Sequence, residues 1–163
     1  MTPRLRDEQG FALVEMLIAI VVINIGLLAI LLSLTSGMTT LRRSAETSTA
    51  SAIADRQLER YRAVAFTSVY LDTTALAATD STYQSDAAYS ASQVNQACGT
   101  LTALCTPTQT VTGPDGRSYR VDSYIVSVTP TGGTAVKQVT VVVRKAGTTA
   151  TLARVVSTAG ADF

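Results

Sequence analysis

Between residues 16 and 41 the chain carries no charged side chain, and residues 11–34 (FALVEMLIAIVVINIGLLAILLSL) are apolar but for Glu15, Asn24, Gly26 and Ser33. No other feature limits the possible folds as strongly. A helix needs roughly 20 mainly apolar residues to cross a bilayer core, so this stretch can span one. A cleavable secretory signal has a shorter core, about 7–15 residues, that ends in a small-x-small site. Here the run is longer, has a carboxylate near its start and lacks a convincing Ala-x-Ala at its end. It reads as a retained anchor. Its orientation is nearly balanced, because Arg4 and Arg6 precede it while Arg42 and Arg43 follow it. The positive-inside rule then favours an inside N-terminus only through the amine of the first residue.

Composition narrows the function. The 163 residues include no histidine and two cysteines, with 13 Lys+Arg against 12 Asp+Glu. Without imidazole no Ser-His-Asp or Cys-His nucleophile can be built, and two cysteines fall short of a four-ligand zinc cage. A net charge of +1 gives no electrostatic case for a nucleic-acid surface. No catalytic group, metal or cofactor is expected.

Glu15 is the second informative residue. A carboxylate one helical turn inside an apolar segment is costly unless neutralised or paired, and no Lys or Arg occurs in the following 26 residues. A cut between Gly10 and Phe11 would create an α-amino group four residues before Glu15. That ammonium has the right charge at the right depth, either within one helix or across to a second copy's Glu15. The segment RDEQG/FALVEMLIAIVVINIG resembles the leader and N-terminus of the type IV pilin-like family. The family's pattern is a short charged leader, a Gly, a cut, an aromatic residue and a Glu fifth in the mature chain. The resemblance implies a leader over residues 1–10, cleavage between Gly10 and Phe11 by a membrane aspartic prepilin peptidase, N-methylation of Phe11, and a role in assembly for Glu15. Other pilin subunits and an inner-membrane assembly platform are the implied partners. Many major pilins have a proline inside the span. Here the corresponding region reads Leu31, Leu32, Ser33, with Gly26 as the only weak helix point, which is closer to minor pilins and pseudopilins.

Beyond the span, Ala50, Ile53/Ala54, Leu58, Tyr61 and Val64/Ala65 recur at three- and four-residue steps between Arg56, Glu59, Arg60 and Arg62. That spacing predicts an amphipathic helix, so one helix is expected over residues 11–66. Its half at 11–34 would lie in lipid or filament core, and its half at 35–66 against a head of residues 67–163. The basic and acidic residues of the second half read as a solvated face.

Residues 67–112 are rich in Ala, Ser, Thr and Asp without a sustained period. So long a structureless stretch is uncommon in a compact domain, and short helices or turns are expected within it. Cys98 and Cys105 read as a disulfide in a protein exposed beyond the membrane, with two free buried thiols as the alternative. Asp72, Asp80 and Asp86 lack the spacing of a calcium loop.

The sheet is expected over residues 113–157. Gly-Pro-Asp-Gly at 113–116 and Thr-Gly-Gly at 131–133 mark turns between β-rich runs at 118–129, 136–144 and 151–157. Val139, Val141 and Val143 fall on one strand face, with Gln138, Thr140 and Arg144 on the other. In the preceding run Tyr119 and Val121 are odd while Tyr124, Val126 and Val128 are even. A period-two strand cannot bury both sets on one face, so a bulge is expected near Ser123. Val111 is placed at the start of a fourth, edge strand.

The fold expected is α+β and pilin-like: one long N-terminal helix packed on a three- or four-stranded antiparallel sheet. The function expected is a structural subunit of a type IV pilus or type II secretion-like filament, of minor or initiating type. It would begin as a single-pass cytoplasmic-membrane protein with its head outside and end in a surface filament. A tip-exposed binding pilin for adhesion or DNA uptake and an ordinary single-pass anchored surface protein are the alternatives.

Overall fold

Residues Glu8–Arg62 form a single helix of 55 residues, α1, in the computed structural model, which describes residues 8–160 apart from Leu101 and side-chain environments from Leu13 onward. No proline occurs between Pro3 and Pro107, so nothing in the sequence removes a helical donor along α1. Helical structure runs on through Ser36 and Gly37. It stops at Arg62, a few residues short of expectation. Ala65 is extended, with φ −59° and ψ 148°, and Phe66–Ser68 form one 3-10 turn. The ammonium of Lys137 donates to the carbonyls of Phe66 (2.6 Å) and Val69 (2.8 Å) and sits 4.4 Å from the Phe66 ring centre. A single cation thus closes the corner after α1.

The chain divides into two units, Met1–Ser44 and Ala45–Phe163. In the second unit, short elements β1 (Leu71–Asp72), α2 (Thr73–Ala77), α3 (Ser81–Gln84) and β2 (Asn95–Gln96) precede the main sheet. That sheet comprises β3 (Thr108–Thr112), β4 (Ser118–Val128), β5 (Val136–Lys145) and β6 (Thr151–Ala159), antiparallel in the order β3-β4-β5-β6. The layout is the expected α+β one, with the edge strand β3 beginning three residues before Val111. At the β3–β4 turn Gly116 has φ +72°, which glycine adopts without strain. A Cβ on Gly113 would lie 2.8 Å from the Tyr119 ring and 2.9 Å from the Thr49 methyl, so only glycine lets this turn close on α1.

The stripe on the second half of α1 covers one sheet face. Ala50, Ala54, Leu58 and Tyr61 pack with Tyr119, Val121, Ile125, Val139, Val141 and Val143, all buried. Gln57, between them, is buried as well and donates to the Ala103 carbonyl at 2.6 Å.

The bulge expected near Ser123 does not exist. The register from Tyr119↔Lys145 to Val128↔Val136 is unbroken, and the sheet's register shift lies instead at Val143/Arg144, against β6. The inference failed because it assumed one wet face, whereas both faces of β4 are covered. Its odd residues, Ile125 included, meet α1. The even residue Tyr124 meets a second cluster with Tyr83 and Val142, its ring stacked on Tyr83 at 4.3 Å. The Tyr83 hydroxyl donates to the Ser123 carbonyl at 2.7 Å.

The three scattered aspartates fasten this second cover. Asp72 caps α2 through the Ala75 N–H (2.7 Å) and accepts from the Cys98 N–H (2.9 Å). Asp80 caps α3 through the Tyr83 N–H (2.9 Å) and takes both terminal nitrogens of Arg120, one at 2.7 Å. Asp86 binds Arg154 at 2.8 Å and also Arg144. Arg144 reaches on to the fully buried Asp122, which Arg120 also contacts at 2.9 Å. A Cys98–Cys105 disulfide closes the loop that follows, and the Asp72 N–H donates to the Cys105 carbonyl at 2.7 Å.

Two outcomes test this layer. Asp122→Ala leaves Arg144 and Arg120 short of a buried counter-charge, and denaturant unfolding should show a loss of about 3–5 kcal/mol. The bond from Arg120, and then the Tyr83 N–H, hold the Asp80 carboxyl down at about 2. Its stabilising effect is therefore full above the ordinary carboxylate range and fades as pH falls toward 2. A carbon-NMR titration midpoint for Asp80 near 4 would contradict the pair.

Candidate functional site

The first unit presents a surface that its own chain leaves uncovered. Large apolar side chains from Leu13 to Leu41 are more than half exposed, Met16 at 72% and Leu41 at 71% among them. The helix is long and apolar enough to cross a membrane. Its polar residues turn back on the backbone. The Asn24 amide donates to the Ile20 carbonyl at 2.8 Å, Thr35 to Leu32 at 2.9 Å, and Thr39 and Thr40 to Ser36 at 2.8 and 3.1 Å. These four side chains each place a donor on a backbone carbonyl, as a lipid or protein-filled surrounding favours.

Glu15 is different. It is exposed, and among the described residues no cation pairs with it. A carboxylate has no backbone donor to turn to in mid-helix, because every N–H around it is already used. Its partner must come from the N-terminal side or from another chain. At 100° per residue, Ala19, Val22, Gly26, Ala29 and Ser33 fall on the same helix face as Glu15. Gly26 has no atom within 4 Å of where a Cβ would stand, so at that position the helix surface is open.

Gly10 and Phe11 lie in the helical backbone of α1. Their side chains, and residues 1–7 of the expected leader, lie outside the described residues. Cys98 and Cys105 belong to the second unit, where their disulfide holds the cover described above. A cavity of about 290 Å³ in the head is lined by Tyr61, Arg62, Val64, Phe66, Thr158, Ala159 and Gly160. Those groups supply no acid–base pair. Among the described residues no three His, Cys, Asp or Glu side chains gather to hold a metal.

Residues 5–31 match the family model of the prokaryotic N-terminal methylation motif, the signal of type IV prepilins. The matched segment contains Gly10, Phe11 and Glu15 and ends within the apolar run. No curated protein and no solved structure matches the chain significantly.

The exposed apolar surface has a direct consequence for the unassembled chain. It should stay with the bilayer through alkaline carbonate washing and leave it only in detergent. Ile23→Arg places a charge mid-span at a cost of about 2.5–3.5 kcal/mol and should shift much of the chain into the carbonate-soluble fraction. A wild-type chain released by carbonate would contradict a spanning role for α1.

Proposed function

We propose that the chain is a structural subunit of a type IV pilus or type II secretion-like filament, of minor or initiating type. It enters the cytoplasmic membrane with its leader inside and its head outside. Prepilin peptidase cuts between Gly10 and Phe11 and methylates the new amine on Phe11. An inner-membrane assembly platform then draws the chain out of the bilayer among other pilin subunits. One observation carries this reading: the methylation motif falls on a helix whose apolar surface, and the Glu15 carboxylate set in it, have no partner among the described residues.

The physical steps follow from that surface. Extraction exchanges lipid for neighbouring helices, so apolar side chains stay out of water throughout. Glu15 cannot follow at low cost unless an opposite charge accompanies it. The Phe11 amine of the same or an adjoining subunit supplies one, and a pair across subunits sets the axial offset between helices. The uninterrupted helix through Leu31, Leu32 and Ser33 supports the minor or initiating assignment, since no proline weakens this stretch for melting.

Mass spectrometry of the mature N-terminus tests the reading. A methylated Phe11 is the expected result, and an intact Met1 or a cut beyond Ser36 refutes it. Glu15→Leu should abolish incorporation into filaments while leaving the head's unfolding midpoint unchanged; normal assembly of that variant would remove Glu15 from the mechanism. In purified filaments the chain should be a small fraction of the subunits.

A further inference from the structure

Among the described residues the head's sheet ends in two unpaired edges whose geometries match. In the β3–β4 ladder the Gly113 N–H donates to the Arg117 carbonyl and the Ser123 N–H to the Pro107 carbonyl, each at 2.8 Å. With the register Gln109↔Val121, odd residues of β3 bond inward. Thr108, Thr110 and Thr112 therefore turn their N–H and C=O groups outward. On the far side, the Ala146 N–H donates to the Ser118 carbonyl at 3.1 Å. Carried through Val141↔Val155, that alternation has Ala153, Val155 and Ser157 bonding to β5. Arg154, Val156 and Thr158 turn outward.

Edge strands are usually guarded by proline, an inward charge or a bulge. Neither β3 nor β6 contains proline. The Arg154 guanidinium is drawn to Asp86, and the irregularity at Val143/Arg144 lies beyond the outward residues. Thr110, Thr112, Arg154, Val156 and Thr158 are exposed.

Strand number decides what fits. With four antiparallel strands, β3 and β6 run opposite to one another, so a copy shifted sideways without rotation meets β6 with its own β3 in antiparallel sense. Placing Val156 opposite Thr110 also keeps the faces in phase. Thr108 and Arg154 bond to Asp122 and Asp86 on the outer face, while Val111 and Val155 pack toward α1 on the other. Those two half-buried valines come side by side. The repeat is about 19 Å, four strand spacings, which leaves room for one helix about 10–12 Å across under each sheet.

We infer that the β6 edge is a docking site for the β3 edge of a second copy, so that heads join into one continuous sheet. The inference rests on the filament reading in that only copies sharing one orientation present these edges to each other; the contact is heterologous and does not close on itself. A short run of copies joined in this way is the nucleus an initiating subunit has to supply.

The test is a full-length chain carrying both Thr110→Cys and Val156→Cys, oxidised mildly in cell envelopes and resolved without reductant by immunoblot. Opposed Cα atoms in such a pair lie about 5.5 Å apart, within disulfide reach. A ladder of dimers, trimers and higher species is expected from the double variant and only monomer from either single one. Adding Thr158→Pro, whose lost N–H points outward and takes no bond from β5, should abolish the ladder. Monomer from the double variant overturns the inference, and so does a dimer from Val156→Cys alone, which means β6 pairs with itself. The N-terminal mass is read on the same sample. A cut, methylated chain without a ladder refutes edge pairing but not the filament role. An uncut chain with a ladder refutes the filament role but not edge pairing, and an uncut chain without one refutes both.

Discussion

An apolar helix that its own chain leaves bare dictates the rest of this molecule. Burial of apolar surface is the main favourable term in folding, yet from Leu13 to Leu41 the large apolar side chains of α1 are more than half exposed. Such a segment calls for a second medium, and α1 is long and apolar enough to find it in a bilayer. Its own polar groups are consistent with that: Asn24 and the threonines return their donors to the helix backbone. The two units accordingly solve different problems. Ala45–Phe163 is packed around cores of its own on both sheet faces, whereas the first unit leaves its large apolar side chains exposed.

How much of this was legible in the sequence depended on the range of the deciding interaction. The anchor, the motif around Gly10, Phe11 and Glu15, and the stripe Ala50, Ala54, Leu58 and Tyr61 are local patterns, readable from period and spacing. The alternation Val139, Val141, Val143 was readable for the same reason, since β5 buries that face against α1. Strand β4 was not. Its even and odd apolar residues looked like a change of phase, because nothing local says that a second layer covers the sheet. Tyr83 lies 41 positions from Tyr124 and has no periodic neighbours to announce it.

The acids of residues 67–112 carry the same lesson in electrostatic form. Asp72, Asp80 and Asp86 are unremarkable as a string, too far apart for a cation site and too polar for a core. Each has a short-range cue, since a capping Asp precedes a brief helix, but its second role is set by arginines on strands far along the chain. Arg120 reaches Asp80 across 40 positions and Arg154 reaches Asp86 across 68. Propensity does not carry such pairings. A region that reads as variable loop is therefore a fastened layer.

Set side by side, the charges explain where specificity for assembly has to reside. In the head, Asp80, Asp86 and Asp122 meet Arg120, Arg144 and Arg154, so the ionic requirements of that layer are met within one molecule. Removing a partner there damages folding. Glu15 has no such partner among the described residues, and its helix folds regardless because helical hydrogen bonds do not depend on it. A change at Glu15 should therefore be felt between molecules and not within one. An unmatched acid on an apolar surface also rejects wrong registers: any offset that leaves it facing hydrocarbon carries a desolvation cost, while sliding apolar side chains past one another costs little. On the filament reading proposed above, the apolar area would supply affinity without direction, and Glu15 would supply the register.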